Sequence, residues 1–130
     1  MAKNYSQVAV VRGHDEGEKW LLEPSDYYDL GRSSKNRITL KDKTISKRHA
    51  LLECLDGIWF IQDLGSRHGT FVNDKQIEER KALFHKDVIR LGKTYLVYGN
   101  VEEGAVVNDT SEKDKEGSPD EEDEEADEEQ

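Results

Sequence analysis

Arg32, Ser46 and the run Asp63-Leu-Gly-Ser-Arg-His-Gly-Thr-Phe-Val-Asn73 carry the chemistry of this chain. They belong to three short clusters, about fifteen to twenty residues apart: Gly31-Arg32-Ser33, then Ser46-Lys47-Arg48-His49, then Gly65-Ser66-Arg67-His68-Gly69-Thr70. A guanidinium binds phosphate oxygens through two parallel hydrogen bonds. A serine hydroxyl adds a short donor, and a lysine adds a point charge. Glycine lets the backbone bend or pack closely. Brought to one place, these groups would hold a doubly charged phosphate without cutting it. Each charge-assisted hydrogen bond contributes roughly 1.5–3 kcal/mol. Three or four of them, less desolvation and ordering costs, suit a micromolar binder.

The clusters must be positioned by the apolar runs between them. Val8 to Val11, Trp20 to Leu22, Tyr27 to Leu30, Arg37 to Leu40, Ala50 to Leu55, Ile58 to Asp63, Thr70 to Val72, Asp87 to Leu91 and Thr94 to Tyr98 all read as strands. Arg37 to Leu40 alternates polar and apolar, as a half-buried strand does. Asp56-Gly57 between two β-rich runs predicts a hairpin, and Gly92-Lys93 predicts a second. Strands at this spacing predict an all-β sandwich or barrel with the three clusters in turns. Ile77 to Phe84 contains helix formers but is short and uncapped. Trp20, Trp59, Phe60, Ile61, Leu64 and Phe71 are expected in the core or on a sandwich face. Asp63 is expected to brace a turn.

The net charge of −10 is unevenly placed. Residues 101–130 hold fifteen acids against two lysines, net −13, and residues 1–100 hold fourteen acids against seventeen bases, net +3. The expectation is a folded domain over 1–100 and a disordered acidic tail over 101–130, since the tail has too little apolar surface to fold. Cys54 has no partner for an intramolecular disulfide, and no signal-peptide core is present, which argues for a reducing, intracellular setting. No apolar run reaches the roughly 20 residues of a membrane helix. His14, His49, His68 and His85 have no metal-ligand spacing with Cys54, so no metal or other cofactor is expected. There is no nucleophile–base pair and no P-loop, so an enzyme is not expected. Direct nucleic-acid binding is not expected either, because +3 is modest and the tail would compete for any basic patch.

Gly31-Arg32, Ser46-Lys-Arg-His49 and the Asp63 to Asn73 run together resemble the forkhead-associated (FHA) domain, across roughly Val8 to Tyr98. The resemblance implies a β-sandwich of about eleven strands whose loops at one end bind phosphothreonine peptides. It implies phosphate contacts from Arg32, Ser46 and Lys47, and peptide contacts from Ser66, Arg67 and His68. It gives Gly31, His49, Gly69 and Asn73 roles in loop architecture. The chain departs from the family at His68, where Asn is usual; a neutral imidazole also donates and accepts, with a different reach. Arg67, where Thr is common, adds a cation suited to a second phosphate or an acidic residue after the phosphothreonine.

The expected partner is therefore a phosphothreonine-containing protein, in a nuclear, DNA-damage-response setting by family analogy. The alternative, motivated by His68, is a divergent FHA domain used for homodimerisation. The acidic tail suggests basic partners such as histones. Ser111 and Ser118 resemble kinase sites, and Thr110 is a candidate phosphothreonine for a second copy.

Overall fold

Alternation of inward and outward side chains builds the molecule. In β6 (Ile58–Asp63) Trp59 and Ile61 are buried while Ile58 and Gln62 are exposed. In β10 (Val88–Leu91) Ile89 and Leu91 are buried between half-buried Val88 and Arg90. β3 (Tyr27–Gly31) buries Tyr28 and Leu30, and β5 (Ala50–Leu55) buries Ala50 and Leu52. This period of two is what one buried sheet face requires. The computed structural model describes residues 4–102, and side chains for 5–100. The expected acidic tail, with Thr110, Ser111 and Ser118, lies outside the described residues.

Among the described residues eleven strands form two sheets, the all-β sandwich expected. The remaining strands are β1 (Asn4–Arg12), β2 (Lys19–Leu22), β4 (Ile38–Thr39), β7 (Thr70–Val72), β8 (Lys75–Gln76), β9 (Lys81–Ala82) and β11 (Thr94–Glu102). One sheet has the order β2-β1-β11-β10-β7-β8, the other β4-β3-β5-β6-β9. β3 and β4 run parallel; every other pair with a defined register is antiparallel. The inner faces meet in one core that includes Val8, Leu30, Leu52, Trp59, Ile61, Ile89 and Leu96. Each such side chain contributes about 1.5–3 kcal/mol by burial. The long β5–β6 register, Ala50↔Asp63 through Leu55↔Ile58, holds one sheet together.

The predicted hairpins form for local reasons. Asp56 (φ 53°) and Gly57 (φ 81°) both take positive φ, as a type I′ turn demands. Gly92 (φ 58°) opens the β10–β11 turn. Three expectations are refined. The Arg37 to Leu40 run pairs only at Ile38 and Thr39. The Ile77 to Phe84 segment forms no helix; its Lys81 and Ala82 pair with Ile61 and Phe60. Of the expected apolar residues, Trp59 and Ile61 are buried, while Trp20, Phe60, Leu64 and Phe71 are half-buried.

The segments β3–β4, β4–β5, β6–β7 and β10–β11 gather at one end, where hydrogen bonds join them. At the other end, the Ser6 hydroxyl donates to Asn100 Oδ1 (3.1 Å) and bonds the Tyr98 phenol (2.9 Å), joining the start of β1 to β11.

Candidate functional site

Gly31 ends β3 where the β4–β5 segment crosses it. A Cβ there would overlap the Lys47 carbonyl oxygen and lie 2.6 Å from the Asn36 amide nitrogen, so glycine is required by close backbone approach. Arg32 follows, and its backbone N–H donates to Ser46 O (3.0 Å). Its Nε donates to Ile45 O (3.0 Å), which aims the guanidinium and leaves both terminal amino groups uncommitted among the described residues. The Ser33 N–H (3.2 Å) and the Asn36 side-chain amide (2.6 Å) both donate to Lys47 O. The backbone beneath Lys47 is thus fixed from two sides.

Ser46 and His49 lock this segment to the β6–β7 loop. Ser46 Oγ accepts the Arg67 N–H (2.9 Å), and its own O–H meets no protein acceptor among the described residues. His49 is fully buried. Its Nδ1 accepts the Ser46 N–H (3.1 Å), so the proton sits on Nε2, which donates to Gly69 O (2.9 Å). That pattern makes His49 a neutral brace between two loops. Gly69 takes φ 90° to turn its carbonyl toward His49.

Asp63 holds the β6–β7 loop from within. It accepts the Gly65 and Ser66 N–H groups (3.0 Å each), the Ser66 hydroxyl (2.5 Å) and the Thr70 hydroxyl (2.7 Å). Burial pushes its carboxyl up, but the hydrogen bonds from Ser66 and Thr70 outweigh it and hold the pKa below the ordinary range. Asp42 does the same for the β4–β5 segment. It accepts the Thr44 N–H and hydroxyl, the Lys93 N–H and the Thr94 hydroxyl. Again burial raises and the hydrogen bonds prevail, so its carboxyl is also depressed.

The result is a shallow pocket of about 370 Å³ lined by Arg32, Lys43, Ser46, Lys47, Arg48 and Arg67, with Thr44 and Ile45. No carboxylate, histidine or cysteine lines it. The fate of the arginines sets the pocket apart. Arg12, Arg37, Arg80 and Arg90 lie over the rings of Tyr95, Tyr28, Phe60 and Phe71. Arg48 faces Asp29 at 3.9 Å. Arg32 and Arg67 have neither ring nor carboxylate among the described residues, and both line this pocket. A larger concavity of about 570 Å³ lies beside β8, but Glu78 and Glu79 share its lining with Lys75, Arg80 and Lys81. It has no comparable unopposed charge, and the smaller pocket is the better anion site.

The structure thus brings together Arg32, Ser46, Lys47 and Arg67, with Gly31, His49 and Gly69 shaping the loops around them. Exposed His68 stands beside Arg67 and has no protein partner among the described residues. One assignment, Ser66, differs from the sequence reading. The Ser66 hydroxyl donates to Asp63 and accepts from the Gly69 N–H (2.9 Å), so it is engaged inside the loop instead of facing a peptide. Asn73 (φ 51°) sits in the β7–β8 turn, beyond the end of β7 remote from Gly69. There its side chain donates to Asp87 and accepts from the Val88 N–H (3.0 Å each). Sequence reasoning alone misses Lys43 and Arg48 as pocket cations, and Asn36, Asp42 and Thr44 as braces. The polar run Lys41-Asp-Lys-Thr44 is the available signal for three of them. Among the described residues, no three His, Cys, Asp or Glu side chains group as metal ligands, and no helix is long and apolar enough to cross a membrane.

Comparison with known proteins agrees with this geometry. The FHA domain family model matches residues 28–92. An FHA domain-containing protein of Arabidopsis thaliana is 34% identical over 110 residues, 82% of this chain and 28% of that protein. An oxoglutarate dehydrogenase inhibitor of Corynebacterium diphtheriae is 34% identical over 91 residues, 70% of this chain and 62% of the inhibitor. The chain thus spans less than two thirds of these relatives. The solution structure of the FHA domain of an Arabidopsis hypothetical protein superposes with a TM-score of 0.70 at 34% identity, covering 73% of this chain and 84% of that one. An FHA domain solved in work on phosphothreonine-dependent interactions gives 0.66 at 25% identity, covering 73% and 95%.

Proposed function

The chain belongs to the FHA domain family, and from that premise we propose that its loop end binds phosphothreonine in a partner protein through Arg32, Ser46 and Lys47. FHA domains are interaction modules, and residues 28–92 of this chain match that family. The observation that carries the reading is a pair of guanidiniums, Arg32 and Arg67, that face no carboxylate among the described residues, in one pocket with a Ser46 O–H that meets no acceptor among them. A phosphate dianion entering it meets the two terminal amino groups of Arg32, the Ser46 hydroxyl and the Lys47 ammonium. It displaces no existing salt bridge from Arg32. On this reading the peptide leaves the phosphate past Arg67, which lines the pocket, and its exposed neighbour His68. The name of the corynebacterial relative, an inhibitor, supports regulation by contact.

The test is a titration of phosphothreonine, phosphoserine and unmodified peptides into the protein and its Arg32→Ala variant. Micromolar binding confined to the phosphothreonine form, weakened about tenfold or more by Arg32→Ala, is the expected result. Equal binding to the variant would remove the reading. Homodimerisation is the alternative, and light scattering separates it: a dimer indifferent to phosphorylation and to Arg32→Ala would favour it. We further propose a nuclear damage-response setting and histone binding by the acidic tail. The plant and corynebacterial relatives lend the nuclear setting no support. Imaging after DNA damage and a histone pull-down with residues 101–130 deleted test the two.

A further inference from the structure

We propose that Ser33, Lys35 and Arg48 form a second anion-binding subsite beside the phosphate pocket, and that it takes a second phosphorylated or acidic side chain of the same peptide. The inference rests on the phosphothreonine reading and narrows its ligand class. A separate concavity of about 340 Å³ is lined by these three residues with Asp29, Asn36 and Lys47. It shares Lys47 and Arg48 with the first pocket, so the two are neighbours across one wall.

Its donors repeat those of the first pocket: an arginine, a serine hydroxyl and a lysine. Ser33 Oγ accepts the Lys35 N–H at 3.2 Å, and its own O–H has no protein acceptor among the described residues. Arg48 presents its Nε edge to Asp29 at 3.9 Å, which leaves its terminal amino groups uncommitted among the described residues. Asp29 is itself occupied by the Arg37 N–H (2.7 Å). The floor is rigid, because Asn36 is buried and its amide donates to both Ser33 O (2.8 Å) and Lys47 O (2.6 Å).

Charge argues the same way. Arg32, Lys35, Lys43, Lys47, Arg48 and Arg67 line the two concavities, against the single carboxylate of Asp29. One phosphothreonine brings at most about two negative charges. A ligand with one phosphate therefore leaves about three positive charges unanswered, and a second anion on the same peptide would meet them. An extended peptide advances about 3.3 Å per residue, so the second group belongs within a few residues of the first.

The experiment uses the whole chain and a phosphothreonine peptide with otherwise neutral flanks. A second phosphoresidue, or glutamate in a parallel series, is placed at each position within roughly four residues of the phosphothreonine. At one or more positions the doubly anionic peptide should bind about five- to tenfold tighter than the parent. Ser33→Ala/Lys35→Ala, which touches only residues outside the first pocket, should remove most of that gain while leaving the parent affinity within about twofold and the melting temperature unchanged. Lys35→Glu alone, which keeps Arg48 against Asp29, should also reduce it. A gain from phosphate alone or from glutamate as well supports the subsite and tells the two sources apart. No gain at any position, or a gain that survives both variants, overturns the subsite while leaving the phosphothreonine reading in place. Failure of the parent peptide to bind, or its indifference to Arg32→Ala, overturns both.

Discussion

Two serines show how the same side chain takes different work from its neighbours. Ser46 Oγ accepts from the Arg67 backbone and keeps its proton for a ligand, whereas Ser66 Oγ is held at both its donor and acceptor by Asp63 and Gly69. Ser46→Ala should therefore weaken phosphopeptide binding about tenfold with little loss of fold. Ser66→Ala should cost about 1–3 kcal/mol of stability, because Asp63 and the Gly69 N–H both lose a partner. Paired titration and thermal melting of the two variants separate these outcomes. Equal effects of both on affinity, with no change in stability, would contradict the assignment. Sequence places Ser66 with the peptide contacts because residue type and spacing do not say which way a hydroxyl points. Arg32 and Ser46 are legible because glycine, cation and hydroxyl recur in turns at the right intervals. Asn36 is not, since an asparagine in a loop is ordinary until its amide is seen between two carbonyls.

At the scale of elements, the loops are fixed by side chains that reach from one to the next. Gly31 is where this is least forgiving, since any Cβ must push back the Lys47 carbonyl and the Asn36 amide. Gly31→Ala should shift the β4–β5 segment, cost about 1–3 kcal/mol and weaken phosphopeptide binding. Gly57→Ala is the control. Its added Cβ meets nothing within 4 Å, although its φ of 81° still strains an L residue. It should lose about 1 kcal/mol with affinity intact. Melting curves and titrations of both variants check the contrast, and unchanged affinity in Gly31→Ala would count against the loop crossing. Most strands are readable from alternation, because burying one sheet face imposes it. The pairing of β9 with β6 is not, because a two-residue strand leaves no period to read and the helix formers around it point elsewhere.

For the molecule as a whole, Asp42 and Asp63 brace the loop end and both carboxyls are held below their ordinary range. A carboxylate with a depressed folded pKa stabilises the native state above its unfolded pKa and loses that contribution as pH falls through the folded value. Stability should therefore be level near neutrality and decline as pH drops below about 4. Asp63→Asn and Asp42→Asn should each be less stable at pH 7 and show a shallower acid decline. Denaturant unfolding from pH 7 to 2 measures this, and parallel curves for all three proteins would exclude the linkage. Residue type alone does not single out Asp42 among the twenty-nine acids, and it marks Asp63 only as a turn brace. Asp42 draws Lys93 and Thr94 from 51 and 52 positions away, whereas Asp63 bonds Gly65, Ser66 and Thr70 within its own loop.

The bond between Ser6 and Asn100 has a bearing on how the domain is mounted. β1 rises toward the pocket end and β11, which starts beside Asp42, descends from it, so the strands that begin and end the fold meet at its base. A unit held by its base behaves like a plug-in cassette. Splicing into a host loop, or anchoring to a sensor chip through either strand, should leave the pocket end facing outward.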